Sequence, residues 1–436
     1  MTLAPQTIAT TRVLAALQAG AGPDLAAHID IYGRVPRGHS RRERWVERLL
    51  DEIAQSGITG RGGAGFPVAR KLELGAAQRH RPMLLVNAME GEPASAKDRV
   101  LLNRVPHLVL DGTQVAAAVV GAGDVRVCVP ANRPVLAQSV RHALSERARA
   151  RLDPVIPTIE QPPAHYAAGE ESALADWVAG RDGLPSFRVS KANPLTIRRR
   201  PVIVHNVETL AHLALIARYG GEWFRSAGLP DAPGTTLVTI SGAVPAPEVI
   251  EVALGTPIAE VLEQAGVTET PQAILLGGYG GSWLSGEDLG TPYAPAPLAT
   301  MRASVGTGVI GVLPQGACGL AETARIVSYL SDQKARQCGP CTFGLPAIAE
   351  DMVRLAVGRG DSALVERLRL RLDAVEGRGA CRLPDGAVRL TRSALSIFAA
   401  DVHSHSRHHP CPGWNHRGVL EVPNDRGLRP APRGRR

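Results

Sequence analysis

Strand-like and helix-like segments alternate over residues 40–220, and this alternation restricts the folds that the chain can adopt. The segments, three of them helical and two of them apolar strands, lie at 41–53, 83–88, 107–120, 125–130 and 132–144. When helices alternate with strands in this way, the strands usually pair in parallel and the helices cover the sheet. We therefore predict an α/β fold with a parallel sheet for this part of the chain.

Two other patterns follow along the chain. Residues 235–285 read as two strands, a short helix and a further strand, which suggests a small β-grasp module. From about residue 318 the pattern is helical, with apolar residues such as Leu364, Leu368 and Leu372 on one face. Four such segments follow one another, and four helices favour a bundle.

The composition is that of an ordinary globular protein. With 436 residues, 44% of them hydrophobic, the chain can bury several cores, so we expect two to four domains. No run approaches the roughly 18 apolar residues of a membrane span, and the first 22 residues lack the basic start and apolar core of a signal peptide. We therefore predict a cytoplasmic protein without direct membrane insertion, in which the six cysteines are reduced.

The positive charge is concentrated at the carboxyl end. The net charge is +8, and residues 403–436 contribute +5 because they hold seven Arg against Glu421 and Asp425. This segment is rich in Pro, Arg and His and lacks apolar periodicity, so we predict a disordered basic tail. The body shows no basic stripe with interleaved aromatic residues, so we expect no nucleic-acid partner.

A glycine-rich stretch is the first candidate binding site. Gly60, Gly62 and Gly65 satisfy a G-x-G-x-x-G pattern, and Phe66 and Lys71 follow. The preceding residues read as a helix and not as a strand, so the context of a dinucleotide-binding fingerprint is absent, and a flexible turn is the alternative interpretation. Backbone of this kind nevertheless allows a phosphate or a flat ring to approach closely.

Polar residues follow directly on the apolar segment 83–88. Glu90, Glu92 and Lys97 stand where the carboxyl end of a parallel strand would lie, which is the usual place for a ligand in an α/β fold. A solvated loop rich in charge pairs is the alternative. Only four Lys occur among 49 cationic residues, and two of them fall in these two stretches, which suggests positions that require a compact ammonium group.

Five motifs, taken in order, connect these stretches with a known family. They are GRGGAGFP at 60–67, NAMEGEP at 87–93, YAAGEESAL at 166–174, HNVETL at 205–210 and the cysteines Cys338, Cys341 and Cys381. Over roughly residues 50–402 the chain resembles the NADH-oxidising flavoprotein subunit of respiratory complex I, which is the F-type subunit of NADH-quinone oxidoreductase, and related diaphorase subunits. The resemblance implies a Rossmann-like FMN-binding domain, a β-grasp domain of the SLBB type and a C-terminal helical bundle with a 4Fe-4S cluster.

We accordingly divide the chain into four parts. Residues 1–230 are predicted to form the Rossmann-like FMN- and NADH-binding domain, and residues 231–300 the β-grasp domain of the SLBB type. Residues 301–402 would be the helical bundle with the iron–sulfur binding region, and residues 403–436 the disordered basic tail.

The resemblance also implies roles for residues within the matching motifs. The positions that would hold FMN and its phosphate are Gly60, Arg61, Gly62, Gly63, Gly65 and Lys71. Phe66 would lie near the nicotinamide, Asn87 and Asn206 would contact the flavin, and Glu92 would contact the ribose of NADH. The remaining flavin and nucleotide contacts would be Glu90, Tyr166, Gly169, Glu170 and Glu171.

The chain departs from the family pattern in its binding motifs. Met89 replaces an Asp of the family and can carry no charge, and His205 replaces one of two adjacent Asn residues. An aromatic residue that the family places just after Lys71 is missing, and its second NADH-stacking aromatic has no clear equivalent, although Phe187 lies close by. These differences put individual contacts in question.

The cysteine motif also departs from the family. An iron–sulfur cluster of this type uses four thiolates, and Cys338, Cys341 and Cys381 supply three, because the family's third cysteine is absent. We expect a ligand outside the family pattern at the fourth position; Cys411 is the thiol best able to reach it, because its tail is long, whereas Cys318 is expected in the core. Reduced cysteines without a metal, or a zinc site completed by histidines of the tail, are the alternatives.

The sequence therefore predicts an NADH:acceptor oxidoreductase that uses FMN, NAD(H) and an iron–sulfur cluster. Its partner would be an electron-accepting iron–sulfur protein or a ferredoxin-like subunit. The enzyme would be cytoplasmic, alone or attached to a membrane complex through partner subunits. A degenerate paralogue, acting as a flavin- or cluster-binding or assembly subunit without NADH turnover, is the alternative.

Overall fold

The computed structural model describes residues 11–36, 42–187, 195–425 and 427–428. Up to residue 230 its helices are α1 Ala15–Gln18, α2 Leu25–Tyr32, α3 Arg42–Ser56, α4 Val68–Ala76, α5 Lys97–Arg104, α6 Pro106–Val120, α7 Pro134–Arg149, α8 Glu171–Val178, α9 Val207–Tyr219 and α10 Gly221–Arg225. The strands of this region are β1 Met83–Asn87, β2 Asp124–Cys128, β3 Thr158–Glu160, β4 Leu195–Ile197 and β5 Arg200–Asn206.

These five strands form one sheet in the order β3-β2-β1-β5-β4. Neighbouring strands are parallel except β4, which runs antiparallel to β5. The side chains of β1 alternate between two apolar layers: Leu84 and Val86 join the cluster that contains α6 and α9, and Leu85 joins Leu174 of α8. A sheet that is buried on both faces needs apolar residues at every position. The prediction of an α/β fold with a parallel sheet is confirmed.

Helices α6 and α9 pack at close range on one face of this sheet. A Cβ atom at Gly112 of α6 would lie 1.7 Å from the carbonyl oxygen of Leu210 in α9, so any larger residue would force the two helices apart. Because α9 begins directly after β5, this packing also fixes the start of α9 at the carboxyl edge of the sheet.

A second sheet follows residue 230. Its elements are β6 Thr235–Gly242, β7 Glu248–Ala253, α11 Ile258–Gln264, β8 Ala273–Leu276, β9 Ser282–Ser285, α12 Pro295–Thr300 and β10 Val309–Leu313. The strand order is β7-β6-β10-β8-β9, and the pairing of β10 with β6 is the parallel one. The two strands, helix and strand that the sequence predicts correspond to β6, β7, α11 and β8, and the later strands extend that unit.

The last part of the described chain is helical. Its helices are α13 Gly319–Asp332, α14 Leu345–Ala356, α15 Ser362–Val375, α16 Leu383–Ile397 and α17 Ala399–His405. The apolar faces of the first four meet in one buried cluster, which includes Leu330 of α13, Met352 of α14 and Leu368 of α15. A π-helical turn, Pro340–Gly344, leads into α14 and carries Cys341.

The segment after residue 402 differs from the sequence prediction of a disordered tail. Within residues 403–425, Leu420 and Val422 are 2% and 8% exposed and belong to the same buried cluster as the helices. The backbone amide of Val419 donates a hydrogen bond of 2.8 Å to Glu322 of α13. The prediction was wrong for this segment because two apolar residues without periodicity are enough to join an existing core. Residue 426 and residues 429–436 lie outside the described residues.

Among the described residues, no helix combines the length and the apolar character that a membrane crossing requires.

Candidate functional site

The glycine-rich stretch forms a loop between α3 and α4. Its base is closed by a hydrogen bond of 2.9 Å from the amide of Gly60 to the carbonyl oxygen of Phe66. Gly63 and Gly65 have φ angles of +96° and +61°, a conformation that side chains with a Cβ rarely adopt. The loop lines a cavity of about 640 Å³, and Gly62, Gly63 and Gly65 present backbone there without intervening side chains.

Two asparagines lie side by side at the carboxyl edge of the first sheet. Asn87 ends β1, Asn206 ends β5, and the two residues are in register on these parallel strands. Asn87 Nδ2 donates to the carbonyl oxygen of Gly169 (2.8 Å), and Asn206 Oδ1 caps α9 by accepting from the amide of Glu208 (3.0 Å). The chain leaves β1 toward β2 on one side and meets β5 on the other, so this edge is a topological switch point where α/β folds bind ligands.

A buried group of charged side chains, Lys97, Asp98 and Glu208, holds Asn206 in place. Lys97 Nζ lies 2.9 Å from Asp98 Oδ1 and 2.8 Å from Glu208 Oε2. Burial acts to lower the pKa of Lys97, but these two carboxylates outweigh it, and the pKa is raised. Asn206 Nδ2 donates to Asp98 Oδ2 (2.7 Å), so its amide is held on both sides. The charged ammonium is therefore part of a fixed polar floor beneath the cleft.

Two glutamates in the turn after β1 are buried beside this floor. Glu92 accepts hydrogen bonds of 2.9 Å from the Tyr166 hydroxyl and from the Tyr279 amide. Glu90 accepts from the Ser95 hydroxyl at 2.9 Å and contacts the guanidinium of Arg99. Burial raises the pKa of each glutamate to about 7. Both carboxyl groups therefore change charge near neutral pH.

The turn before α8 supplies the next wall of the cleft. Glu170 caps α8 by accepting from the amides of Ser172 (2.9 Å) and Ala173 (3.0 Å). Glu171, the first residue of α8, forms an ion pair with Lys71 of α4. Lys71 thus has a carboxylate partner across the cleft.

Two adjoining cavities, of about 340 and 640 Å³, make up this cleft, and Gly62, Asn87, Asn206 and Cys381 line both. Each of the fifteen residues that the sequence proposes for cofactor binding lines one cavity or the other. The combined space is in the range of ligand-binding pockets. The sequence motifs, which are spread over 150 residues, therefore converge on one cleft.

Arg61 takes a different place from the one suggested by its motif. Its guanidinium donates to the backbone oxygens of Thr59 (3.3 Å) and Thr235 (3.1 Å) and lies 4.0 Å from Glu208. The side chain is 92% buried, and burial lowers its pKa. Arg61 thus joins the glycine loop to the second sheet through its two terminal nitrogens, while its Nε atom is buried without a hydrogen-bond partner.

The structure also places the residues that depart from the family motifs. Met89 is 2% exposed and packs with Leu85 and Leu174, outside the residues that line the cleft. His205 lines the larger cavity, and its Nε2 atom is buried without a hydrogen-bond partner. Burial, followed by the charge of Lys71, lowers the pKa of His205 to about 3. His205 is therefore a neutral imidazole with an unused polar atom beside the cleft.

Phe66 and Phe187 both line the larger cavity. Phe187 is 68% exposed, which is unusual for a large apolar side chain and leaves its ring free to contact a ligand. It adjoins residues 188–194, which lie outside the described residues.

Three cysteines approach one another at the end of the helical part that faces the cleft. Cys338 and Cys341 lie at the π-helical turn, and Cys381 lies just before α16. Burial raises the pKa of Cys381 to about 11, and Glu170 and then the other two thiols add to this shift. Because Cys381 also lines both cavities, the cysteine group adjoins the cleft directly.

Gly344 occupies the position of the family's third cysteine. A Cβ atom there would lie 2.5 Å from Val375 Cγ2, so a larger residue at 344 requires Val375 to move. Cys411, which the sequence suggested as the fourth ligand, instead lies beside Cys318 and His405. The expectation that Cys411 reaches the other three cysteines was wrong, because the carboxyl-terminal segment is packed along α13.

Sequence reasoning missed several residues of the cleft. Arg382 and Arg389 line both cavities from the helical part, and Thr307 lines the smaller cavity from the second sheet. These residues belong to no local motif, and they reach the cleft only because the later parts of the chain pack against the first sheet. Nothing in their immediate sequence marks them.

Two family models match the chain in the same order as the two parts of this site. The model described as the Nuo51 FMN-binding domain matches residues 53–215, and the one described as the NADH-ubiquinone oxidoreductase-F iron-sulfur binding region matches residues 321–405. The chain belongs to the family of F subunits of NADH-quinone oxidoreductases. Both matched regions lie in this one chain.

Curated F subunits are similar to this chain over most of their length. The F 2 subunit of NADH-quinone oxidoreductase from Rhizobium meliloti is 26% identical over 380 residues, which are 84% of this chain and 90% of that protein. The F subunit of the enzyme from Streptomyces coelicolor is 28% identical over 378 residues, which are 84% of each protein.

Solved structures of an NAD+-reducing NiFe hydrogenase contain a similar chain. The air-oxidised form has a TM-score of 0.79 and 27% identity, over 96% of this chain and 69% of that one. For the H2-reduced form the TM-score is 0.75 and the identity 28%, over 86% of this chain. The match spans 64% of the hydrogenase chain in that structure, so the hydrogenase chain includes further regions.

Proposed function

We propose that this chain is an NADH:acceptor oxidoreductase subunit that takes electrons from NADH through FMN and passes them to a partner protein through an iron–sulfur cluster. The observation that carries this proposal is the shared cleft. The glycine loop, the two asparagines and Cys381 all line it, so a flavin site and a cysteine group adjoin each other within one chain. The match to both family models supports the same conclusion.

The residues of the larger cavity fit a flavin mononucleotide. Gly63 and Gly65 leave room that a Cβ would fill, and the unpartnered Nε2 of His205 offers a polar contact for the ring or its side chain. Asn87 and Asn206 are fixed by hydrogen bonds at the sheet edge, and Lys71 offers an ammonium group to a phosphate. When bound, FMN accepts hydride from NADH and releases the two electrons singly.

The smaller cavity fits the nucleotide. Glu92 can accept hydrogen bonds from a ribose hydroxyl, and Tyr166 fixes the orientation of its carboxyl group. Phe66 and Phe187 offer ring faces at the larger cavity, where a nicotinamide or adenine can stack. Glu92, in the ionised fraction that it carries near neutral pH, and Glu171, although it is paired with Lys71, both disfavour the additional phosphate of NADPH, so we expect a preference for NADH.

The three cysteines fit a cluster with three thiolate ligands. Cys338, Cys341 and Cys381 are near enough to influence one another's charge, yet among the described residues they are not as close as the ligands of a single ion. We propose that they hold a cluster whose fourth position is filled by a ligand other than cysteine. Such a site is expected to be more sensitive to oxygen than one with four thiolates.

We also propose bounds for the domains, a compartment and a kind of partner. The Rossmann-like domain would comprise residues 1–230, the SLBB-type β-grasp domain residues 231–300 and the iron–sulfur bundle residues 301–402. The protein would act in the cytoplasm, beside an iron–sulfur or ferredoxin-like partner subunit. The alternative of a degenerate paralogue is not favoured, because Met89 points away from the cleft and leaves its polar lining intact.

The test is an anaerobic titration of the purified chain with NADH. We expect a flavin absorption band that bleaches with about one NADH per flavin, and slower bleaching with NADPH. A colourless protein after reconstitution with FMN would contradict the proposal, and equal rates with the two nucleotides would contradict the roles of Glu92 and Glu171.

A matched pair of glycine variants distinguishes a loss of FMN binding from a loss of stability through backbone strain. Gly65 and Gly121 have φ angles of +61° and +67°, and a Cβ at either would meet no atom within 4 Å. Gly65 lines the cavity, whereas Gly121 ends α6. Gly65→Val and Gly121→Val should lose similar stability through backbone strain, but only Gly65→Val should lose FMN. Stoichiometric FMN in Gly65→Val would overturn the assignment of the loop.

A further inference from the structure

A second group of metal-ligating side chains lies outside the proposed flavin and cluster sites. Cys318 Sγ, Cys411 Sγ and a ring nitrogen of His405 all lie within 4.8 Å of one another. Cys318 is 2% exposed, His405 is fully buried, and Cys411 is partly buried. Cys318 and Cys411 are 93 positions apart along the chain, yet their two sulfur atoms and a ring nitrogen of His405 lie close together.

This group is separate from the other three cysteines. Cys318 caps the amino end of α13, and Cys338 lies beyond its carboxyl end. A helix of 14 residues is about 21 Å long. The two cysteine groups therefore lie at opposite ends of α13, and no single cluster can use ligands from both.

The imidazole of His405 is oriented toward the two thiols. Its Nδ1 atom lies 3.2 Å from the carbonyl oxygen of Leu355, which assigns the proton to Nδ1. Its Nε2 atom accepts a hydrogen bond of 2.9 Å from the Cys411 amide and lies 3.9 Å from Cys318 Sγ. A backbone carbonyl on one ring nitrogen and an acceptor lone pair on the other is the usual arrangement of a metal-binding histidine; here the Cys411 amide occupies that lone pair until an ion takes its place.

We propose that Cys318, His405 and Cys411 bind one Zn²⁺ ion and that solvent supplies the fourth ligand at the partly exposed side of Cys411. Two thiolates and one imidazole are ligands that zinc prefers. In a tetrahedral site with bonds of 2.0 to 2.3 Å, the ligand atoms lie about 3.3 to 3.8 Å apart. Cys318 Sγ and His405 Nε2 are already 3.9 Å apart, and all three atoms lie within 4.8 Å of one another, so small side-chain shifts bring them to a single ion.

The charges balance when the ion binds. Two thiol protons leave, and the two thiolates neutralise the ion, so the buried site carries no net charge. Burial, and then the neighbouring Cys411 thiol, raise the pKa of Cys318. The Sγ atom accepts from the Ala321 amide (3.4 Å) in the first turn of α13, and this contact favours the thiolate once the ion is present. The Cys411 amide then exchanges Nε2 for another acceptor, such as a thiolate.

The ion would fasten the carboxyl-terminal segment to the helical part. Beyond Cys411, the amide of Val419 is bound by Glu322, Asp425 lies 2.8 Å from Arg325, and Leu420 is buried. All of these contacts are made with or near α13. A zinc ion at Cys411 would fix the start of residues 411–425, the segment that packs along α13. These contacts indicate that the ion would have a structural role.

Metal analysis of the full-length chain tests the proposal. The chain is purified anaerobically with reductant, incubated with Zn²⁺, and washed with a chelator before zinc and iron are measured. We expect about one zinc per chain in the wild type and less than a fifth of that in Cys411→Ser, with iron unchanged. Cys338→Ser is the matched control, which should lose iron and keep zinc. Zinc at background in the wild type, or equal zinc in Cys411→Ser, would overturn the proposal.

Alkylation of the native wild type provides a second measurement if Cys411→Ser does not fold. Zn²⁺ should protect Cys318 and Cys411 from a thiol reagent, as read from peptide masses, and Co²⁺ in its place should give a thiolate charge-transfer band. A Cys318–Cys411 disulfide in the anaerobic protein, or unchanged alkylation with Zn²⁺, would overturn the zinc site. Because zinc and iron are measured separately, failure here is distinguishable from failure of the proposed oxidoreductase.

Discussion

At the scale of single residues, the cleft is notable for carboxyl groups that are nearly neutralised by burial. Glu92 is 7% exposed, accepts hydrogen bonds from Tyr166 and Tyr279, and has a pKa of about 7 because burial penalises its charged form. These hydrogen bonds favour the carboxylate but do not outweigh burial. The residue can therefore bind a ribose either as a donor or as an acceptor near neutral pH.

This raised pKa predicts a loss of stability as the pH rises. The native state binds the Glu92 proton up to about pH 7, whereas the unfolded chain releases it near pH 4.5. Between these values the native state holds more protons, so its stability falls with rising pH, by on the order of 3 kcal/mol in all. Glu92→Gln, which mimics the protonated form, should lose this part of the dependence.

The measurement is the urea midpoint of the cofactor-free chain at pH 5, 6, 7 and 8. Glu90, with a similar pKa, serves as the internal comparison because it remains in both proteins. Parallel pH curves for the wild type and Glu92→Gln would show that Glu92 titrates normally.

At the same scale, the sequence predicted which residues lie together in the cleft but not which contacts each side chain makes. The fifteen residues of the motifs line one cleft, yet the guanidinium of Arg61 is committed to Thr59 and Thr235, and Glu170 caps a helix. Side-chain direction depends on neighbours that are distant in sequence, such as Thr235. Their functional roles remain predictions until the experiments above are done.

At the scale of elements, α16 brings cationic side chains to the cleft. Arg389 lines both cavities and donates to the carbonyl oxygen of Gly280 (3.0 Å). Three residues along the same helix, Arg392 is paired instead with Asp373 and Glu376, each at 2.6 Å. The helix thus carries one arginine toward the cleft and another toward its neighbouring helix.

Arg389→Ala should weaken binding of the anionic nucleotide. We expect the KM for NADH to rise about tenfold while kcat changes little, because a charge-assisted contact to a phosphate contributes equally before and during the reaction. Arg392→Ala is the matched control and should leave the KM unchanged. A KM that is equally affected in both variants would indicate a change in the helix and not in the cleft.

The elements that the sequence identified best are the long ones with a strong pattern. Segments 83–88 and 107–120 correspond closely to β1 and α6. The short edge strands β3 and β4, of three residues each, were missed because so few residues carry no periodicity. The strand β9 was also missed, since its pairing with β8 is decided by the sheet and not by its own four residues.

At the scale of the whole molecule, residues 403–425 belong to the folded body. Leu420 packs against the second sheet, where its methyl groups lie close to the positions of Gly242 and Gly311, and the Tyr279 hydroxyl donates to the carbonyl oxygen of Glu421. Composition alone predicted disorder there, because a segment of mixed Arg, Pro and His gives no local signal of burial. The core that accepts Leu420 is built from residues that are distant in sequence, such as those around Gly242 and Gly311.

Leu420→Ala should therefore destabilise the protein. Truncation of a fully buried leucine costs about 2 to 4 kcal/mol through lost apolar contact and the cavity that remains. Val135→Ala, at a position that is 71% exposed on α7, is the control and should change the melting temperature little. Equal melting temperatures for the two variants would restore the prediction of a disordered tail.

The register of β1 with β5 determines which substitutions outside these two strands the cleft can tolerate. Asn87 and Asn206 are adjacent residues of one ladder, so their separation is the spacing between neighbouring strands, about 4.8 Å. Mutations in the covering helices can loosen the protein without changing this distance. A shift of the pairing by one residue would separate the two amides, and it would also turn the apolar side chains of β5 to the wrong layer. The distance between these two amides is thus set by the pairing of the strands. Substitutions in the surrounding sequence leave it unchanged as long as the sheet itself forms.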